Sequence, residues 1–292
     1  AEHPSLSDVR QSVSLGKKTF AAPTKKVRVL IPVFPGTNCE YDMARAFAIA
    51  GAETKIAVFA NNTPRALEES LKTLERELKS AQILALAGGF SGGDEPDGSG
   101  KFIANVLREG CIAEQVMQLI KKRDGLILGI CNGFQALIKT GLVPFGEIRT
   151  MTADMPTLTF NTVGRHISRI ARTRTVSALS PWALDASVID ERVHLIPVSH
   201  GEGRIVVASS LAQQLFASGQ VFSQYVDALG MPAVTEPDNP NGSLFAIEGL
   251  TSPDGRVLGK MGHSERHQHY GQQNYPDFRA QNLFAAGIKA FK

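Results

Sequence analysis

Leu126-Ile127-Leu128-Gly129-Ile130-Cys131-Asn132-Gly133-Phe134-Gln135-Ala136-Leu137 is the stretch on which the fold turns. Its first half is an apolar run suited to a strand buried on both faces of a parallel sheet, and its second half is compatible with a helix. Cys131 stands where one gives way to the other. Gly129-Ile130-Cys131-Asn132-Gly133 matches the G-x-S-x-G pattern of a nucleophile elbow, with cysteine in place of serine. The two glycines leave room for a strained turn that pushes the side chain outward. A cysteine in an α/β core is also an ordinary small hydrophobe. The pattern therefore acquires chemical meaning only if the chain supplies a base, an oxyanion site and a substrate pocket around it.

Upstream of the elbow the chain alternates strands and helices. Residues 27–33 read as a first strand that ends in the turn-rich Phe34-Pro35-Gly36-Thr37-Asn38. Met43, Ala44, Phe47, Ala48 and Ala50 recur at helical spacing, and Gly51 is placed to end that helix before a second strand at residues 54–59. An amphipathic helix around Leu67, Leu71, Leu74 and Leu78 leads to a third strand, Ile83-Leu84-Ala85-Leu86, and a helix over residues 111–122 leads into the elbow strand. This rhythm predicts an open, mostly parallel, flavodoxin-like α/β sheet with helices on both faces.

After the third strand comes Gly88-Gly89-Phe90-Ser91-Gly92-Gly93-Asp94-Glu95-Pro96-Asp97-Gly98-Ser99-Gly100. A loop at that end of a strand is where open α/β sheets bind ligands. It is not a P-loop: Glu95 stands where the motif's first glycine belongs, and Phe102 where Ser or Thr would hold magnesium. Its glycines instead expose backbone N–H groups, the donors that a cysteine acyl-transfer site needs for a developing oxyanion.

Downstream of Gly146 the texture changes to shorter strands, at residues 158–161, 166–171, 193–197, 221–225, 244–249 and 257–261, with a helix over 211–218. No internal repeat is evident. These pieces read as additional β-structure in the C-terminal half that extends or covers the sheet. Residues 1–25, rich in Ser and Lys and poor in apolar periodicity, read as a tether, and residues 26–292 as one domain.

Composition narrows the function classes. Apolar residues make up 43% and charged residues 20%, values of an ordinary globular chain. The 31 basic and 28 acidic side chains leave a net charge of +3, too even a balance to predict nucleic-acid binding. Arg165, Arg169, Arg172 and Arg174 form the one local basic concentration and read as a solvated strand face. No apolar run reaches membrane-spanning length and no signal-peptide pattern opens the chain, which places it in the cytoplasm. Three cysteines without a CxxC fit a reducing compartment, and Cys39 and Cys111 take a structural role because neither follows a strand into a helix as Cys131 does.

Among the seven histidines, His263 directly follows an apolar strand and Gly262, the position from which a base projects over the carboxyl edge of a sheet. Glu265, two residues on, would share its face in an extended chain and orient the imidazole. His263, Glu265, His267 and His269 also alternate on one face. That leaves a metal-dependent hydrolase as an alternative, although four such neighbours are not a common zinc spacing.

Gly129-Ile-Cys131-Asn-Gly133-Phe-Gln135, the glycine-rich loop and His263-Ser-Glu265 resemble the triad-type, class I glutamine amidotransferases. Phe34-Pro-Gly-Thr-Asn-Cys39, Gly88-Gly-Phe-Ser-Gly-Gly-Asp94, Pro197-Val-Ser-His-Gly-Glu-Gly203 and His263-Ser-Glu-Arg266 look in particular like the glutaminase domain of phosphoribosylformylglycinamidine synthases, above all the large single-chain form with that domain at its C-terminus. The resemblance runs from about Lys26 to the end. It implies Cys131 as nucleophile, His263 as base and Glu265 as orienting carboxylate. An oxyanion hole would map to the backbone of Gly89, Phe90 and Asn132, and Gln135, Ser199 and His200 would hold the α-groups of L-glutamine. It further implies ammonia delivery to a synthetase domain or subunit that uses ATP and Mg2+, with no cofactor or metal in this domain. A non-catalytic docking module of the same synthase is the other alternative.

Overall fold

The computed structural model describes residues 26–91, 99–189, 193–266 and 281–291. The tether reading of residues 1–25, the middle of the glycine-rich loop, and His267 and His269 lie outside the described residues.

The N-terminal half follows the sequence closely. β1 (Arg28–Val33), α1 (Glu40–Ile49), β2 (Glu53–Val58), α2 (Pro64–Ser80) and β3 (Ile83–Leu86) come in the expected order. α2 starts because Thr63 caps it, its hydroxyl accepting the Ala66 N–H, and Pro64 fits the first turn. A helix absent from the sequence reading, α3 (Lys101–Arg108), precedes α4 (Gly110–Lys121). Its eight residues bury Ile103, Ala104, Val106 and Leu107, a short stripe that the neighbouring glycines obscure. β4 (Leu126–Ile130), buried at every position, feeds α5 (Asn132–Thr140) and the short α6 (Leu142–Phe145).

The C-terminal half contains β5 (Thr157–Phe160), β6 (Ile167–Thr175), α7 (Ala186–Ile189), β7 (His194–His200), β8 (Glu202–Val206), α8 (Ser209–Ala217), β9 (Val221–Tyr225), β10 (Ile247–Thr251), β11 (Val257–Lys260) and α9 (Leu283–Lys289). β6 and β7 run longer than their apolar cores. They pair with each other in register from Ile167↔His200 to Thr173↔His194, and that pairing carries the polar ends into the ladder. The strand expected at residues 244–249 begins only at Ile247, after a 3₁₀ turn at Leu244–Ala246.

Nine strands form one sheet in the order β2-β1-β3-β4-β11-β10-β9-β6-β7. β2, β1, β3, β4 and β11 are mutually parallel, and β10, β9, β6 and β7 continue the sheet in antiparallel pairing. β5 and β8 form a separate antiparallel pair. The later strands therefore both extend and cover the sheet. The mixed, largely parallel α/β architecture brings the segments after β1, β3, β4 and β11 to one carboxyl edge, beside the site where such sheets bind ligands. No helix among the described residues is long and apolar enough to cross a membrane.

Candidate active site

Cys131 occupies the elbow between β4 and α5 with φ 53° and ψ −106°, a left-handed backbone that costs an ordinary L-residue about 1–3 kcal/mol. Packing holds it there. The Cys131 N–H donates to Lys260 O on neighbouring β11 at 2.9 Å, and its carbonyl accepts the Gln135 N–H at 3.0 Å as the first turn of α5 closes. Gly133 is required by space: a Cβ there would stand 2.2 Å from Leu86 O. The turn places Cys131 at the N-cap of α5.

His263 follows β11 and donates or accepts at Nδ1 with Glu265 Oε1 at 2.6 Å. Both side chains are buried. The expected partnership forms by a different geometry from the extended one, because Ser264–Arg266 is a 3₁₀ turn that curls the carboxylate back onto the ring. The one-face alternation proposed for His263, Glu265, His267 and His269 thus does not hold over its first members. Burial pushes the imidazole's pKa down. The Glu265 carboxylate and the thiols of Cys131 and Cys39 outweigh it, so His263 sits well above its ordinary value. This favours the imidazolium form of His263.

The loop after β3 brings the three side chains together. A Cβ on Gly88 would lie 2.7 Å from His263 Cε1, 3.2 Å from Cys39 Sγ and 3.4 Å from Cys131 Cβ, so only glycine fits beneath them. Cys39 stands in the site, contrary to the purely structural role expected of it. Its thiol donates to Asn38 Oδ1 at 3.0 Å and accepts from Arg266 Nη2 at 3.1 Å. The available signal was its position just past the carboxyl end of β1, the same edge that carries Cys131.

For an oxyanion, Gly89 bridges to Thr37 and has φ 142°. The Phe90 N–H donates to Gly36 O at 2.8 Å, so Gly89 rather than Phe90 is the residue of this pair whose N–H is available. Asn132, at the first position of α5, ties the loop to the elbow: its Oδ1 accepts the Ser91 N–H at 3.1 Å and its Nδ2 donates to Gln135 Oε1 at 2.9 Å.

Gln135 in turn donates to Glu202 O at 2.5 Å, and the Ser99 N–H donates to Glu202 Oε2 at 2.8 Å. Glu202 thus joins the site, a residue quoted in the sequence motif but assigned no role. Ser199 divides its contributions: its carbonyl accepts from the Cys131 thiol at 3.7 Å, while its hydroxyl meets His166 Nε2 at 3.0 Å. His200, next along β7, points to the opposite face. It is buried over Gly203, with Nδ1 against Asn161 Oδ1 at 3.1 Å. Desolvation there, with the nearby His263 and His166, lowers its pKa to about 3, so it is neutral.

Cys39, His263 and Glu265 offer ligand atoms within 4.8 Å of one another. The 2.6 Å contact between His263 and Glu265 is shorter than two ligands on one ion can approach with metal–ligand distances of about 2.0–2.2 Å in tetrahedral geometry. A metal would have to open that pair first.

A cysteine on a strained strand-to-helix elbow, with a histidine–carboxylate pair beside it on the same sheet edge, defines a cysteine-nucleophile α/β enzyme class. The chain belongs to the CobB/CobQ-like glutamine amidotransferase domain family, whose profile matches residues 26–292. It is 35% identical over 264 residues to the phosphoribosylformylglycinamidine synthase subunit PurQ of Dehalococcoides mccartyi, covering 90% of this chain and 93% of that one. It is 36% identical over 253 residues to the same subunit of Treponema denticola, with 82% and 88% covered. The structure of PurLQS from Thermotoga maritima matches in fold with a TM-score of 0.62 at 24% identity, over 91% of this chain and 98% of that one.

Proposed function

We propose that this chain hydrolyses L-glutamine to glutamate and ammonia, and passes the ammonia to a synthetase domain or subunit that makes formylglycinamidine ribonucleotide from formylglycinamide ribonucleotide in purine biosynthesis. The observation that carries the reading is the buried His263–Glu265 pair at 2.6 Å beside an elbow cysteine, in a chain of this family. ATP and Mg2+ serve the synthetase. The three free cysteines agree with a reducing cytoplasm.

In this reading the Cys131 thiolate attacks the side-chain amide carbon. The oxygen charge that develops is met by the N–H groups of Gly89 and Asn132, each worth about 3–4 kcal/mol if removed. Imidazolium His263 gives its proton to the departing ammonia, and Glu265 holds Nδ1 so that the other ring nitrogen does the transfer. Neutral His263 then takes a proton from the water that cleaves the γ-glutamyl thioester. Ser199, with Gln135 and Glu202, lines the place for the amino-acid head, while the His200 side chain is held on the other face by Asn161.

Cys131→Ala in the complete synthase should abolish synthesis from glutamine, by a factor of about 10³ or more, and leave synthesis from added ammonia intact. Loss of both would refute the reading. A docking module without chemistry would, moreover, fail to trap diazo-oxo-norleucine on Cys131.

A further inference from the structure

Lys260 and Glu248 are both completely buried, with Nζ 3.2 Å from Oε1. A buried ion pair is a weak source of stability, because desolvation offsets the attraction and apolar side chains of similar volume often serve as well. The bonds that these two groups make concern other things. Glu248 Oε1 accepts the Gly262 N–H at 2.7 Å, and Lys260 Nζ donates to Gly262 O at 3.2 Å and to Ser264 Oγ at 2.8 Å. Gly262 and Ser264 are the two residues that flank His263.

The arrangement extends both ways. Ser223 Oγ donates to the second carboxylate oxygen of Glu248, while Ser264 Oγ donates to Gln281 Oε1 at 2.7 Å. The backbone of Lys260 reaches the nucleophile, since its carbonyl accepts the Cys131 N–H at 2.9 Å. One residue thus touches the nucleophile through its main chain and the base's turn through its side chain. A Cβ on Gly262 would stand 2.9 Å from Glu248 Oε1 and 3.2 Å from Lys260 Nζ, so the pair is seated against that backbone.

We infer that Glu248 and Lys260 are positioning residues that clamp the Gly262–Ser264 turn and so hold the imidazole of His263 against the Cys131 sulfur. The inference rests on the roles proposed for Cys131 and His263. Its physical logic is that a turn leaving a buried strand exposes backbone groups to a dry interior, where they must be paired. Charged partners make shorter and stronger bonds than neutral ones. A carboxylate and an ammonium bonded to the N–H and carbonyl of one residue fix its peptide planes, and reacting groups need placement to about 0.5 Å.

The test uses the full chain and separates folding from placement. Glu248→Gln and Lys260→Met each strand one partner and should lower Tm by on the order of 10 °C. The double variant Glu248→Met/Lys260→Met leaves no unpaired charge and should regain most of that loss. Cys131 of the double variant should nevertheless react with diazo-oxo-norleucine about 10-fold more slowly. The pH midpoint of its alkylation by iodoacetamide, read on the Cys131 peptide by mass spectrometry, should shift from that of the parent. Ser264→Ala, which removes only the hydroxyl between Lys260 and Gln281, should shift both readouts the same way by a smaller factor. Parental rates and a parental pH midpoint in Ser264→Ala, or in a double variant of recovered Tm, would overturn the positioning role. A parent chain alkylated at Cys131 by iodoacetamide yet inert to diazo-oxo-norleucine would count against the glutaminase reading instead.

Discussion

The two halves of the main sheet are built from different materials. β1, β3 and β4 bury Val29, Leu30, Ile31, Ile83, Leu84, Leu126, Ile127 and Leu128, and no polar side chain on those strands is fully buried with them. The antiparallel strands β9 and β10, together with β11, the parallel strand that adjoins them, bury Ser223, Gln224, Glu248, Thr251 and Lys260. The contrast follows the work each half does. The parallel half must hold one strained residue, Cys131, at the end of a strand, and close packing against β3 and β11 suffices. The other half must set the direction of an imidazole at the end of a turn, and direction requires hydrogen bonds.

Damage to the two halves should therefore look different. The largest effect on stability is expected from Leu128→Ala at the centre of β4, about 2–5 kcal/mol in urea denaturation, because the cavity opens in a fully packed layer. Folded protein should retain a parental rate of Cys131 labelling. A slowed rate at full folding would break the division. Ser223→Ala on β9 removes the hydroxyl donor to Glu248 and should cost less, about 1.5–3 kcal/mol, as expected for a hydrogen bond to a charged group. Labelling of folded protein should slow there, since the clamp on Gly262 loosens.

Acid sharpens the comparison further. His200 on β7 is neutral in the fold, with a pKa of about 3 against 6.5 for a free imidazole. Its folded form refuses a proton that the unfolded chain accepts, so its contribution is intact above pH 6.5 and is lost as pH falls from 6.5 toward 3. Between pH 6.5 and 5 that amounts to about 2 kcal/mol. His263, with a raised pKa, acts in the opposite window: its contribution is full below pH 6.5 and declines as pH climbs through its folded value. Measured between pH 5 and 6.5, the decline of stability on acidification should be shallower in His200→Gln than in the parent. Equal slopes would show that His200 takes up protons in the folded state.

The same division explains what could be read from the chain alone. β1, β3 and β4 are apolar runs, and the Cys131 elbow is a local pattern, so strand and strand-to-helix turn were legible. β6 and β7 were read too short because pairing, not hydrophobicity, carries Thr173, Ser199 and His200 into strands. β8 was missed for a related reason: Glu202 and Arg204 flank Gly203, and its apolar residues, Ile205 and Val206, come only at its end. His263 and Glu265 were found by spacing, although their contact comes from a 3₁₀ turn rather than an extended chain. Glu202, Glu248 and Lys260 could not be placed, since no local pattern marks a buried charge: Glu202 meets Gln135 and Ser99, and Glu248 and Lys260 meet each other and the turn after β11.

The smallest effect is expected from a charge pair in the same polar half that differs in one respect. Arg172 on β6 reaches Asp238 at 3.2 Å, but the two side chains are 45% and 31% exposed, against 0% for both Lys260 and Glu248. Water screens the Arg172 pair and replaces it readily when it is broken, so Arg172→Ala should change stability by no more than about 1 kcal/mol. Neither the rate nor the pH midpoint of Cys131 labelling should move. Parity of Arg172→Ala with the parent, beside a slowed clamp variant, would locate the requirement in buried charge rather than in charge as such. A slowed Arg172→Ala would mean that the basic face of β6 reaches the site through the strand pairing of β6 with β7, where Arg169 stands opposite Val198, one residue from Ser199.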